Sequence, residues 1–130
     1  MPHNYTFFKA KCKIFPFTLS LRDDDEHMRP YCLNPDILCM NDQAVAFVKA
    51  FVDAKKPITA ICHGPWTLIN AGGIKGYKVT SWPSLKIDLI NAGAKWVDQT
   101  VVRDRSLVTS RKPADIPEFN KEMITLFARK

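Results

Sequence analysis

The sequence predicts an α/β fold with a mainly parallel sheet and a late antiparallel hairpin. Three observations lead there. Ala44, Val45, Phe47, Val48, Phe51 and Val52 recur at helical spacing and give one apolar face. Ile58 to Ile61 is a short apolar and β-branched run that passes at once into Cys62-His63-Gly64. From there to the C-terminus, strand-like runs alternate with helical stripes, the pattern of strands joined by crossover helices.

Taken in order, Phe15, Phe17, Leu19 and Leu21 alternate with other residues and predict a strand, despite Pro16. Asp23-Asp24-Asp25-Glu26 lacks the alternating spacing and closing glutamate of a calcium loop and reads as solvated loop. Asn41 or Asp42 caps the first strong helix, which Lys55-Lys56-Pro57 ends. A strand over 58–61 and a helix over 67–71 follow, closed by Gly72-Gly73. Lys78-Val79-Thr80 predicts a short strand. Pro83 opens a helix with Leu85, Leu89 and Ile90 inward and Gly93 as its stop. Trp96-Val97-Asp98, Thr100-Val101-Val102 and Leu107 to Ser110 predict strands, the last two joined around Arg103-Asp104-Arg105-Ser106 without the usual glycine. The final helix starts near Pro113 and carries Ile116, Phe119, Met123, Leu126 and Phe127 inward.

Composition narrows the function classes. The chain has 130 residues, 46% hydrophobic and 25% charged, so it is at most one ordinary globular domain. No apolar run reaches the roughly 18 residues a membrane span needs. No cleavable leader is evident, and the expected location is the cytoplasm. The net charge of +6 falls entirely beyond residue 40, but its basic residues are scattered rather than interleaved with aromatics. A solvated basic surface is the reading, with no nucleic-acid partner. Cys12, Cys32, Cys39 and Cys62 form no C-x-x-C pair and no zinc spacing, so free thiols are expected and no metal. There is no Gly-rich phosphate loop, and no cofactor is expected.

The stretch Ala60-Ile61-Cys62-His63-Gly64 carries the chemistry. A strand that turns directly into a helix through small-x-Cys-x-Gly has the layout of a nucleophile elbow, with the sulfur above the strand end. Small Ala60 and Gly64 let neighbouring backbone pass close, and helix N-terminal amides favour a negative sulfur. His63 is the last histidine in the chain, so Cys–His chemistry using the segments that follow the elbow must use it. A lone cysteine in an apolar segment is otherwise an inert core thiol. A glutamine amidotransferase shares the elbow but needs a later histidine, which is absent here.

Ala60 to Trp66, Thr80-Ser81-Trp82-Pro83-Ser84-Leu85-Lys86, Asn91-Ala92-Gly93-Ala94, Trp96-Val97-Asp98 and Val108-Thr109-Ser110-Arg111-Lys112-Pro113 together resemble the DJ/PfpI family, in its PfpI-type general stress protein branch. The resemblance runs from about Asn34 to the C-terminus, which sets off 34–130 as the family-like domain and 1–33 as a divergent segment, truncated and rewritten. It implies a flavodoxin-like three-layer sandwich working as a homo-oligomer. It also implies a cysteine-dependent hydrolase: an intracellular peptidase, or a deglycase or glyoxalase III-like enzyme acting on small aldehydes, glycated proteins or peptides. Cys62 matches the family nucleophile, His63 its partner, and Asp36, in Pro35-Asp36-Ile37-Leu38, the acid supplied by a neighbouring subunit. On its own, Asp36 after Pro35 reads as a turn residue. Gly64, Trp82 and Pro83 match the residues around the elbow and support its loop or oxyanion. The family's strand–helix unit with its glutamate has no counterpart, Arg29-Pro30-Tyr31-Cys32-Leu33 replaces a Pro-Gly-Gly turn, and Cys39 stands where the family has arginine. These departures keep a second expectation open: a non-catalytic remnant acting as a thiol sensor or interaction protein.

Overall fold

The computed structural model describes residues 17–19 and 33–128. Strand β1 (Phe17–Leu19) falls inside the alternating run of the sequence, while the remainder of the divergent segment before Leu33, with the acidic run, Cys12 and Cys32, lies outside the described residues. Helix α1 (Leu33–Cys39) and helix α2 (Asp42–Asp53) lead into β2 (Ile58–Ile61). The elbow helix α3 (Pro65–Asn70), β3 (Lys78–Val79), a 3₁₀ turn over Pro83–Leu85 and α4 (Lys86–Asn91) follow. The chain then forms β4 (Lys95–Trp96), β5 (Val101–Asp104), β6 (Leu107–Ser110), a second 3₁₀ turn over Pro113–Asp115 and α5 (Ile116–Phe127).

The main sheet has the order β1-β2-β6-β5. β1 and β6 both lie parallel to β2, with Ile58 opposite Phe17 and Leu107, and β5 closes the edge antiparallel to β6. The predicted class and hairpin are therefore present. β3 and β4 instead pair with each other in a separate two-stranded parallel sheet. Thr80, expected in β3, leaves the ladder because its N–H donates to Thr109 Oγ1 at 2.9 Å. Asp98, expected in β4, is drawn off by Arg111 at 2.8 Å.

Period-2 alternation on the central strands splits the core. Ile58, Ala60 and Leu107 face a cluster with Val48 and Phe51 of α2, Leu68 of α3, and Leu85 and Leu89 around α4. Ile61 and Val108 face Phe119 and Leu126 of α5. Helices on both faces of one sheet make the three-layer sandwich. Two positions expected inward, Ile90 and Ile116, are exposed instead, because α4 and α5 turn only Leu89, and Phe119 with Leu126, fully onto the sheet.

Local chemistry explains the elements. Asn41 Oδ1 accepts the Ala44 N–H at 3.0 Å and caps α2. Helix α1 carries no apolar stripe and was not expected from periodicity. Pro35 sits in its first turn, where a missing N–H costs nothing, and Asp36 there suits the helix dipole. The hairpin turn places Arg105 at φ +54 without glycine. Its guanidinium stacks 3.6 Å over the Tyr77 ring and donates to the Gly76 carbonyl at 3.1 Å, which offsets that conformation. Arg111 binds Asp115 through two bonds of 2.8 and 3.1 Å, Asp98 at 2.8 Å and Thr100 Oγ1 at 3.3 Å.

Gly73 is a close-approach position. A Cβ there would lie 2.5 Å from Val52 Cγ2. Gly73→Ala is expected to cost about 1–3 kcal/mol in urea unfolding through overpacking, with Val52→Ala in the same chain recovering part of it. An alanine variant as stable as the parent would show that α2 shifts freely.

Candidate active site

The site grows from the end of β2. All four residues of that strand are buried, and the chain leaves it at Cys62 with φ +61. A left-handed backbone costs a non-glycine residue about 1–2 kcal/mol, so the surroundings must impose it. They do so from both sides. The Cys62 N–H donates to the Ser110 carbonyl at 3.0 Å, and the Cys62 carbonyl accepts from the Trp82 N–H at 3.0 Å. Pro65 then starts α3 in its first turn, where proline is tolerated. The predicted elbow is thus formed.

His63 points back to Cys62. Its Nδ1 lies 3.2 Å from Cys62 Sγ. The ring is 7% exposed and framed by two indoles, Trp66 with centroids 6.0 Å apart and Trp82 at 6.3 Å, nearly parallel. Burial pushes the His63 pKa below its ordinary value of 6.5 and so favours the neutral ring. A neutral ring can accept the thiol proton at Nδ1, leaving a thiolate beside an imidazolium.

Of the sequence-nominated residues, Cys62, His63, Gly64 and Trp82 come together. The Gly64 N–H donates to the Ile61 carbonyl at 3.0 Å, so it closes the turn instead of facing the sulfur. The amides of Cys62, Trp66 and Thr67 are also bonded within the fold, to the carbonyls of Ser110, His63 and Gly64, and Pro65 has none. Among the described residues of this turn, the His63 N–H is the amide without a backbone partner. Pro83 is exposed and opens the 3₁₀ turn behind Trp82.

Asp36 lies elsewhere. It is exposed on α1 and lines a cavity of about 500 Å³ with Cys39, Trp66, Asn70 and Asp88. No Asp36–His63 hydrogen bond exists among the described residues. Trp66 links the two places: its ring meets His63, and its Nε1 donates to Asp88 Oδ2 at 2.9 Å. Burial pushes the Cys39 thiol pKa up, with the Asp36 carboxylate adding to the rise, so Cys39 favours the protonated form. Among the described residues, no three His, Cys, Asp or Glu side chains could hold a metal, and no helix is long and apolar enough to cross a membrane.

Sequence reasoning missed three supports. Trp96 Nε1 donates to Ser81 Oγ at 3.0 Å, and Ser81 Oγ donates to the Trp82 carbonyl at 2.8 Å. Ser110 Oγ donates to the Thr100 carbonyl at 2.6 Å. Ser81, Trp96 and Ser110 all lie in segments quoted for the resemblance, but only the folded chain shows what their polar atoms hold.

Comparison with known proteins places the chain in a family. The family model for the DJ-1/PfpI family matches residues 32–126. General stress protein 18 of Bacillus subtilis is 47% identical over 108 residues, covering 82% of this chain and 63% of the relative. Protein/nucleic acid deglycase 2 of Escherichia coli is 48% identical over 94 residues, covering 72% and 55%. The crystal structure of Drosophila melanogaster DJ-1beta matches with a TM-score of 0.65 at 31% identity, over 73% of this chain and 52% of that one. This chain therefore spans less than two thirds of the length of each of these relatives.

Proposed function

Since the chain belongs to the DJ-1/PfpI family, as its match over residues 32–126 shows, we propose that it is a cysteine-dependent hydrolase of stress metabolism. Its substrates on this reading are small aldehydes such as methylglyoxal, glycated proteins, or peptides. The observation that carries the reading is the left-handed Cys62 at the end of β2 with His63 Nδ1 3.2 Å from its sulfur. Deglycases and a putative cysteine protease among the similar proteins support the same class.

The chemistry follows from the residues. His63 Nδ1 takes the Cys62 proton, and the thiolate forms an S–C bond to the substrate carbonyl carbon. The carbonyl π pair moves onto oxygen, where the His63 N–H is placed to meet the charge. With a peptide, His63 then gives its proton to the leaving amine as the C–N bond breaks, and water hydrolyses the S–acyl bond; with methylglyoxal, the adduct's C1 proton moves to C2, and water hydrolyses the resulting thioester to the hydroxy acid and the free thiol. Asp36 of a neighbouring copy orients His63 in this reading, which makes the working form a homo-oligomer, located in the cytoplasm. Gly64, Trp82 and Pro83 shape the loop around the sulfur.

Alkylation tests the proposal. Iodoacetamide at pH 7 is expected to modify Cys62 ahead of Cys39, whose pKa is raised by burial. Methylglyoxal consumption should fall in step with Cys62 modification, followed by peptide mass spectrometry. Consumption that survives complete modification overturns the proposal. Rapid labelling without turnover of any of the three substrate classes supports the thiol-sensor reading instead.

A further inference from the structure

The nucleophile sits in a conformation it would not adopt alone, and two buried serines stand behind the groups that hold it there. The Cys62 N–H is held by the Ser110 carbonyl, and the Cys62 carbonyl by the Trp82 N–H. Ser110 and Ser81 are both fully buried. Each spends its hydroxyl on backbone beside the elbow: Ser110 on the Thr100 carbonyl at 2.6 Å, and Ser81 on the Trp82 carbonyl at 2.8 Å. Both sides are fixed further out. Trp96 Nε1 donates to Ser81 Oγ at 3.0 Å, and Arg111 Nη2 bonds Thr100 Oγ1 at 3.3 Å while its fork grips Asp115.

We propose that Ser81 and Ser110 are positioning residues for Cys62, each anchoring the chain segment whose backbone group holds it left-handed and so setting where its sulfur stands relative to His63. A buried hydroxyl with a good partner is commonly only a satisfied core group. Here the two serines lie on, or next to, the residues whose backbone groups hold one strained residue, and such strain persists only where the surroundings over-determine it. Neither serine touches substrate in this arrangement; each acts through backbone. On the Ser110 side the chain of support runs from Arg111 and Thr100 through Ser110 to the Cys62 amide. On the Ser81 side it runs from Trp96 through Ser81 and Trp82 to the Cys62 carbonyl. Loosening either side lets Cys62 relax toward φ < 0 and carries Sγ away from Nδ1.

The inference rests on Cys62 being the nucleophile, so its test reads the thiol itself as well as turnover. Iodoacetamide rates at Cys62 and Cys39 are measured in the same folded protein for Ser110→Ala and Ser81→Ala. The Cys62 rate relative to Cys39 is expected to drop about tenfold, well inside the roughly hundredfold loss that a 1 Å displacement of a reacting atom can cause. Where methylglyoxal is turned over, kcat should fall by a similar factor with KM within about twofold. If either alanine variant fails to fold, Trp96→Phe, which removes the indole N–H bond to Ser81 and keeps an aromatic ring against the core, is read in the same way. A Cys62-to-Cys39 ratio unchanged in the folded variants overturns the inference. A changed ratio in a protein without turnover keeps the inference and removes the hydrolase reading instead.

Discussion

Cys62→Ala is expected to reduce turnover by on the order of 10³-fold or more, to the level set by binding and the oxyanion contact alone. The expectation comes from geometry. Cys62 Sγ, the nucleophile of the proposed reaction, stands 3.2 Å from His63 Nδ1. His63→Ala should cost about 10²–10⁴-fold, because a positioned acid–base group contributes that much. The double variant should be little worse than Cys62→Ala, since the two act as one unit. The pH profile adds a sign. Burial lowers the His63 pKa, so the accepting form persists below pH 6.5 and is lost only as pH falls through that lowered value. The acid limb of kcat/KM should therefore lie below 6.5. A Cys62→Ala protein with full methylglyoxal consumption, or an acid limb at or above 6.5, contradicts this mechanism.

Leu68→Ala is expected to cost about 2–5 kcal/mol, the range for a buried leucine that leaves a cavity. Leu68 is fully buried on α3, in the cluster that joins α2, β2 and α4. A small domain has only about 5–15 kcal/mol in total, so this one change takes a large part of it. The midpoint of urea unfolding should fall with the slope unchanged. Ile124→Ala, at an exposed position of α5, is the control and should stay within about 0.5 kcal/mol of the parent. Equal effects at the two sites would mean that the core does not lie where the structure puts it.

What could be read from residues alone was whatever depends on local pattern. The apolar run 58–61, the Cys62-His63-Gly64 turn, the face of α2 and the β5–β6 hairpin each carry their signal within a dozen residues. Long-range determinants were not legible. Helix α1 has no stripe because it is short and packs only through one flank, with Leu38 against the core. The β3–β4 pair separated from the main sheet because Thr80 and Asp98 found partners on β6 and at Arg111. The same limit applies at the site. Cys62 and His63 are neighbours in sequence and were plain, whereas Ser110 reaches the Cys62 amide across 48 residues. Trp66 was visible in the motif, but its bond to Asp88 was not. Asp36 is a different case: it was nominated by the resemblance alone, and it stands on α1 away from His63.

The Arg111 node has a mechanical meaning. One guanidinium joins the end of β6, the link between β4 and β5, and the 3₁₀ turn that leads into α5. Terminal helices usually fray first and exchange their amides independently of the rest. Here the start of α5 is pinned, so detaching the whole helix also strains a sheet edge and a connecting loop. The helix and the hairpin are therefore expected to open as one cooperative unit, read as matched amide-exchange protection of the first turn of α5 and of β5–β6.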